Sequence, residues 1–119
     1  FGHDCVMDPW YSLGSADMLE VASMGLHVTQ MTGVEQMKSC FSAVTEIPAD
    51  ILGLEGYGLE KGCNADLVIL QAADPIEALR LKANRLFVIR RGKIISSSTP
   101  VEAKLDLPGR PKIQNYLFE

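Results

Sequence analysis

The hydrophobic pattern of this chain changes period near Gly56, and that change limits the folds open to it. Before Gly56, apolar residues recur at three- and four-residue steps, which is typical of helices with one buried face. After it, apolar residues follow one another directly, as in the run from Ala65 to Leu70, which is typical of a strand. The sequence therefore predicts a helical part followed by a β-rich part.

The first predicted helix follows Ser15. Ser15 is placed to cap it, with Asp17 in the first turn, where a carboxylate suits the helix dipole. Gly33 is expected to end this helix. Its apolar residues predict one buried stripe, formed by Met18, Val21, Ala22, Gly25 and Val28 and widened by Leu19 and Leu26. A stripe this wide requires a helix that packs against a larger body.

Two further helices are predicted before Gly56. The second helix has an apolar face made of Val34, Met37, Phe41 and Val44. Pro48 then suits the first turn of a short third helix, because its fixed φ is already helical. That helix is expected to run through Ile51 and Leu52.

The β-rich part is predicted to contain three strands and one short helix. Asp74 is expected to cap the helix, with Pro75 in its first position and Glu77 completing a pattern like a capping box. The strands are Ala65–Leu70, Leu86–Arg90 and Lys93–Ser97, the last two joined by a tight turn at Arg91-Gly92. Glycine in that turn supplies the positive φ that such hairpins require.

Length and charge argue against two classes of partner. With 119 residues the chain is about one small domain. Its net charge of −4, and a densest basic stretch no longer than Arg90–Lys93, are unlike a nucleic-acid-binding surface. Its apolar runs fall far short of the ~20 residues that a membrane helix needs. We therefore expect neither nucleic acid nor a membrane as partner.

The three cysteines, Cys5, Cys40 and Cys63, are odd in number and widely spaced. A disulfide framework would normally show an even count, and a zinc site would show paired spacing such as CxxC. The pattern favours reduced thiols, and so predicts a cytoplasmic protein.

Residues 1–14 have the composition of a loop that crosses a surface or lines a site. They contain Gly2-His3-Asp4-Cys5 and Asp8-Pro9-Trp10-Tyr11, and the proline biases Asp8 away from helical backbone. Taken alone, Asp4 is best interpreted as a turn or cap residue, and Trp10 is compatible with plain packing.

In their order along the chain, these motifs resemble the amidohydrolase superfamily. The segment from Pro48 to Leu70, with Gly58-Leu59-Glu60-Lys61-Gly62 and Ala65-Asp66-Leu67-Val68 inside it, is similar to the closing signature of that superfamily, and Arg91–Ile95 to its final hairpin. The earlier motifs, Phe1-Gly2-His3-Asp4 and Asp8-Pro9-Trp10, resemble cytosine deaminases more narrowly. The resemblance extends to about Ser98.

The resemblance implies an α/β fold, namely the C-terminal piece of a (β/α)₈ (TIM) barrel metal-dependent hydrolase plus part of a small β-sandwich domain. Residues 1–55 would supply the end of the last barrel strand, an active-site loop and the C-terminal barrel helices. Residues 56–98 would belong to the β-sandwich domain, and residues 99–119 would form an extended tail.

The resemblance also implies a chemistry, the hydrolytic deamination of cytosine or a related amino-heterocycle. One divalent metal ion, zinc or iron, would lower the pKa of a bound water, which attacks the ring carbon while ammonia leaves. Asp4 would be the catalytic carboxylate, touching the metal or its water and shuttling the proton. Trp10 would lie over the planar substrate. His3, its neighbour, is expected to have a structural hydrogen-bonding role.

Cys5 departs from the cytosine deaminase pattern, which commonly has a second acid directly after the catalytic one. A thiol cannot reproduce the hydrogen bonds of a carboxylate to a ring N–H, so isoguanine, creatinine or another aminopyrimidine is an open alternative to cytosine. Two other hypotheses remain: a ring-opening cyclic amidohydrolase similar to hydantoinases or dihydroorotases, and a non-catalytic binding module built on the same fold remnant.

The chain is too short to hold the whole catalytic apparatus that the resemblance implies. A complete barrel of this type needs about 250 residues. The sequence has two histidines and no His-x-His. We therefore expect a fragment that is inactive by itself, that binds no metal tightly and that exposes its helical stripes. In the whole enzyme we expect a small-molecule substrate and association into a homo-oligomer.

Overall fold

In the computed structural model the described residues, 1–110 together with the backbone of 113–114, form four helices and five short strands. The helices are α1 (Met18–Val28), α2 (Val34–Ser42), α3 (Glu46–Ile51) and α4 (Pro75–Leu81). The strands are β1 (Leu67–Leu70), β2 (Arg85–Arg90), β3 (Lys93–Ser97), β4 (Ala103–Lys104) and β5 (Ile113–Gln114). The predicted change from helices to strands is thus observed, with α4 inserted between β1 and β2.

The N terminus of α1 is capped by Asp17, so the prediction of Ser15 as the cap is wrong. Oδ1 of Asp17 accepts a hydrogen bond from the backbone N–H of Leu19, at 2.9 Å. The hydroxyl of Ser15 instead donates to the carboxylate of Glu20. The cap therefore lies two residues later than predicted, because the hydroxyl of Ser15 is engaged by a side chain of the first turn.

The C terminus of α1 also lies earlier than predicted. The helix ends at Val28, and the hydroxyl of Thr29 donates to the carbonyl of Gly25 at 2.7 Å. Gly33 lies beyond this end and serves as the N-cap residue of α2, where its N–H donates to the side chain of Gln36 at 3.0 Å. Gly33 therefore starts the second helix rather than stopping the first.

The core joins the helical part to the β-rich part. Its buried members come from α1, α2 and α4, and partly buried side chains pack around them: Ala22, Leu26, Cys40 and Leu79, then Leu19, Met31, Met37, Phe41 and Val44. Leu79 belongs to the segment assigned by sequence to the β-sandwich domain, and it is among the most deeply buried side chains. The division at residues 55 and 98 stays a prediction.

The buried face of α1 is rotated relative to the predicted stripe. Ala22, Ser23 and Leu26 are buried, whereas Val28 is 74% exposed. Val28 was expected inside because of its three-residue step from Gly25, but it is the last residue of the helix and points to solvent. Met24 is likewise exposed.

The three-stranded sheet is antiparallel, in the order β1-β2-β3. The predicted hairpin between β2 and β3 is confirmed, with positive φ at both Arg91 (47°) and Gly92 (75°), as expected for a tight two-residue turn. The turn is tied to the start of β1, since Oδ1 of Asp66 accepts the N–H of Arg91 at 2.7 Å. Asp66 is thus a structural residue of the sheet.

The cap of α4 is confirmed in its main features. Oδ1 of Asp74 accepts the N–H of Glu77 at 2.8 Å, and Pro75 occupies the first turn. The reciprocal bond of the capping box is shifted by one residue, because the carboxylate of Glu77 accepts the N–H of Ala73 rather than that of Asp74. Local sequence therefore determines where this helix begins.

The tail is not merely extended. The side-chain amide of Gln71 bonds both to the carbonyl of Val101, at 2.7 Å, and to its N–H, at 3.0 Å. Beyond that contact, β4 pairs with β5 as a short antiparallel ladder. The apolar end at Tyr116–Phe118, predicted to dock on another surface, lies outside the described residues.

Large apolar side chains are exposed on several elements, as expected for a chain that packs against a larger body. The region around α3 is an example, with Ile47, Ile51, Leu52 and Leu54 all exposed. Several large exposed apolar side chains close together in sequence are typical of an area that another protein surface covers. Among the helices of the described residues, none is long and apolar enough to cross a membrane.

Candidate active-site loop

The segment between His3 and Gly14 closes on itself at its base. The imidazole of His3 lies so close to Gly14 that an added Cβ there would be 2.6 Å from Cε1 of the ring. Gly14 also has φ +96°, which other residues rarely adopt. Nδ1 of His3 makes a hydrogen bond with the carbonyl of Cys5, at 3.2 Å. Histidine and glycine together therefore hold the two ends of the loop in contact.

Residues 1–17 contain no strand. The ring of His3 is held within the loop by the two contacts just described. The structural role expected for His3 is therefore observed.

The start of this segment is attached to the helices. The ring of Phe1 lies against Gly25 of α1, where an added Cβ would come within 2.7 Å of it. The backbone nitrogen of Phe1 donates to the carbonyl of Ala43, at the C-terminal end of α2, at 2.8 Å. The loop thus departs from a point fixed by two helices of the core.

The far end of the loop is a tight turn organised by Asp8. Oδ1 of Asp8 accepts hydrogen bonds from the backbone N–H groups of Trp10, at 2.9 Å, and Tyr11, at 3.0 Å. The N–H of Asp8 donates to the carbonyl of Tyr11 at 3.1 Å, and that of Met7 to Leu13 at 3.0 Å. Aspartate followed by proline is favoured in such turns, because the side chain bonds to backbone two residues on.

The turn presents the indole of Trp10 to the outside. This side chain is 90% exposed, although tryptophan has a large apolar surface that is normally covered. The structure thus brings Trp10 into the same closed loop as Asp4 and Cys5, the other two residues singled out by sequence.

Asp4 lies near the base of the loop and is exposed. Its φ of 61° is in the left-handed region, which aspartate tolerates better than most residues. In the part of the chain that the structure describes, no group of three or more His, Cys, Asp or Glu side chains could hold a metal ion. Any metal at Asp4 would therefore need further ligands from residues outside the described ones.

Cys5 interacts with Asp8 across the loop. The pKa of the Cys5 thiol is raised, first by its hydrogen bond to Asp8, then by burial and by the negative charge of Asp4. The same hydrogen bond is the main cause that lowers the pKa of Asp8; burial opposes it, and backbone N–H groups of the turn add to it. The thiol therefore stays protonated at neutral pH and acts as a donor rather than a nucleophile.

Sequence reasoning missed the role of Asp8, which it noted only as a residue restrained by the following proline. The signal was present, because aspartate directly before Pro9 is a preferred start of a type I turn. Asp8 is the residue that organises the tip of the loop, through the N–H groups of Trp10 and Tyr11.

A separate cleft of about 290 Å³ lies away from this loop. It is lined by Phe41 of α2 and by residues of β1, α4 and the segment between them. Its one carboxylate, Asp74, is already used to cap α4. The cleft is therefore a packing feature of the helix–sheet junction.

Comparison with known proteins decides the family. Residues 1–101 match the Amidohydrolase family. The chain belongs to this family. The superfamily resemblance found in the sequence is thus confirmed, and the matched residues include both the loop and the hairpin of β2 and β3.

Curated amidohydrolase relatives act on C–N bonds. The chain is 33% identical over 93 residues to N-isopropylammelide isopropyl amidohydrolase of Pseudomonas sp. (strain ADP), covering 77% of this chain and 23% of that protein. It is 32% identical over 104 residues to a pterin deaminase of Rhizobium rhizogenes, covering 87% and 23%. The chain therefore spans about a quarter of the length of these relatives.

Solved amidohydrolase structures match the fold of the chain. A 5-methylcytosine deaminase from Klebsiella pneumoniae, liganded with 5-fluorocytosine, superposes with a TM-score of 0.82 at 37% identity, covering 88% of this chain and 26% of that one. N-isopropylammelide isopropylaminohydrolase from Burkholderia multivorans gives 0.74 at 32% identity, covering 77% and 24%. The helices and small antiparallel sheet are therefore those of a part of an amidohydrolase.

Proposed function

We propose that the protein to which this chain belongs hydrolytically deaminates an amino-substituted heterocycle, cytosine or a related ring. The observation that supports this most is the loop itself, which carries an exposed carboxylate, Asp4, and a 90% exposed indole, Trp10, on one fixed backbone. A flat apolar face suits a planar ring, and a carboxylate suits proton transfer at the reacting carbon.

In this proposal Asp4 is the catalytic residue of the chain. It takes a proton from the attacking water as oxygen bonds to the ring carbon, and it delivers a proton to the exocyclic nitrogen as the C–N bond breaks and ammonia leaves. A divalent metal ion, zinc or iron, would supply Lewis acidity at this centre when bound, with Asp4 as one ligand. The remaining ligands would come from outside the described residues.

Trp10 and Cys5 are proposed to contact the substrate. Trp10 would cover one face of the ring, while Cys5 offers at most a weak S–H donor, because its thiol stays protonated. This limited donor is a reason to include isoguanine and creatinine beside cytosine as candidate substrates. The names of two relatives, a 5-methylcytosine deaminase and a pterin deaminase, favour loss of an exocyclic amine over ring opening.

The proposal extends to architecture. Residues 1–55 would complete the C-terminal end of a (β/α)₈ barrel, and residues 56–98 would belong to a small β-sandwich domain. The exposed apolar residues around α3 agree with such a position, because they require cover from other parts of the protein.

Ammonia release by the full-length protein tests the function. We expect turnover with cytosine, isoguanine or creatinine, and a loss of roughly 10²-fold or more in kcat for Asp4→Asn. Asp106→Asn, which makes the same change at an exposed position outside both the loop and α3, is the matched control. Absence of turnover with all three compounds, or full activity of Asp4→Asn, would contradict the proposal.

A further inference from the structure

The carboxylate of Asp8 is directed into its own loop rather than outward. It is partly buried, and Oδ1 accepts two backbone N–H groups within 3.0 Å. Its own N–H bonds across the turn to the carbonyl of Tyr11. Asp8 thus holds the backbone of the turn through Oδ1 and through its own N–H.

The indole of Trp10 depends on this backbone for its orientation. With 90% of its surface exposed, the side chain gains little from packing against the rest of the chain. Fixing a freely rotating group on binding costs free energy, so a backbone held in place in advance lowers the cost of binding. The N–H that Asp8 holds is the N–H of Trp10 itself, at 2.9 Å.

We propose that Asp8 is a positioning residue for substrate binding, which acts by holding the turn that presents Trp10 to the heterocycle. This inference rests on the proposed function. It differs from a general role in stability, because the bonds of Asp8 lie at the tip of the loop, whereas the base of the loop is closed by His3 and Gly14. The depressed pKa of Asp8 agrees with a carboxylate that is fully ionised while it holds these bonds.

The inference separates two substitutions of Asp8 that both remove its charge. Asparagine keeps an oxygen that can accept the N–H groups of Trp10 and Tyr11, whereas alanine keeps none. Asp8→Asn is therefore expected to retain most of the substrate affinity, and Asp8→Ala to lose it. Asp106→Ala, an equal loss of charge at an exposed position outside the loop and α3, serves as the control.

Kinetics of the full-length protein provide the first test. Replacing an aromatic residue that stacks on a base costs about 1–3 kcal/mol, so Trp10→Ala should raise KM by roughly 10-fold. Asp8→Ala should raise KM by a similar factor, with a smaller change in kcat. In a double-mutant cycle, adding Asp8→Ala to Trp10→Ala should raise KM little further, because both changes remove the same contact between the indole and the substrate.

Fluorescence of the full-length protein provides a test that is independent of turnover, because Trp10 is the single tryptophan of these 119 residues and any tryptophan elsewhere in the protein can be replaced by phenylalanine. Time-resolved anisotropy should show faster local motion of the indole in Asp8→Ala than in Asp8→Asn or Asp106→Ala. Unchanged anisotropy in Asp8→Ala would overturn the inference. A raised KM in Trp10→Ala with a normal KM in Asp8→Ala would overturn it too, while leaving the proposed function intact. If Trp10→Ala itself binds substrate normally, the proposed role of Trp10 fails.

Discussion

Asp17 links the first helix to the sheet through the two oxygens of one carboxylate. Oδ1 accepts the N–H of Leu19 at the start of α1, and Oδ2 accepts a hydrogen bond from the guanidinium of Arg85 in β2, at 3.0 Å. The segment that follows the loop of residues 3–14 is thereby tied to the β-rich part of the chain. A single side chain serves both as a helix cap and as half of an ion pair.

Asp17→Ala is expected to destabilise the chain by about 1–2 kcal/mol, mostly through loss of the helix cap. Arg85→Ala should cost less than about 1 kcal/mol, because the pair is partly exposed and solvent screens it. Urea unfolding followed by circular dichroism measures both. Ser15→Ala is the matched control, and a larger loss of stability for Ser15→Ala than for Asp17→Ala would restore serine as the cap.

The competition at this helix start explains why the sequence misplaced it. Ser15 and Asp17 are both good capping residues, and local sequence does not rank them. Two other residues determine which of them caps the helix. Glu20 engages the hydroxyl of Ser15, and Arg85, 68 positions away from Asp17, orients the carboxylate of Asp17. Contacts of such long range carry no local sequence signal.

Other features were predictable because their causes lie within a few residues. The cap at Asp74 depends on Pro75 and Glu77, and the hairpin depends on the glycine of its turn, so both were found. The loop motif identified Asp4, Cys5 and Trp10 as candidates, which the structure places in one closed loop. The inward direction of Asp8 was not predicted, because it depends on a turn conformation that the sequence favours without requiring.

The hairpin of β2 and β3 supplies a second stability prediction. Asp66→Ala removes the acceptor for the N–H of Arg91 and should destabilise the chain by about 0.5–1.5 kcal/mol, because this exposed amide exchanges its protein partner for water. Asp66→Asn, which keeps an oxygen acceptor, should recover part of the loss. Chemical denaturation of the two variants gives the comparison. Equal stability of Asp66→Ala and wild type would show that water replaces this bond at no cost.

The thiol of Cys5 should respond to pH through its two acidic neighbours. Its pKa is raised by the hydrogen bond to Asp8, by burial and by the charge of Asp4, so less thiolate exists at a given pH than for an ordinary cysteine. Asp8→Ala should therefore move the midpoint of its alkylation by iodoacetamide to lower pH. The rate is followed by mass spectrometry of the Cys5 peptide.

Cys63, which is also free and partly exposed, provides the internal reference for this measurement. The midpoint reports ionisation, whereas the plateau rate at high pH reports access, so loosening of the loop is separated from a change in pKa. A midpoint that does not move in Asp8→Ala, at any plateau rate, would contradict the contact between Cys5 and Asp8.

Metal binding by the isolated chain is the last prediction. A tight zinc site normally needs three or four protein ligands, and within the described residues no such group of His, Cys, Asp and Glu side chains is assembled. Titration of the chain with zinc, followed by calorimetry, should therefore show no stoichiometric site of sub-micromolar affinity. Asp4→Ala should leave the titration unchanged, because one exposed carboxylate adds only weak affinity.

In the full-length protein the same substitution should weaken retention of the metal, since Asp4 would there complete a set of ligands held by other parts of the protein. Tight binding by the isolated chain that Asp4→Ala abolishes would mean that the ligands lie within these 119 residues, and the proposed division of the metal centre would be wrong.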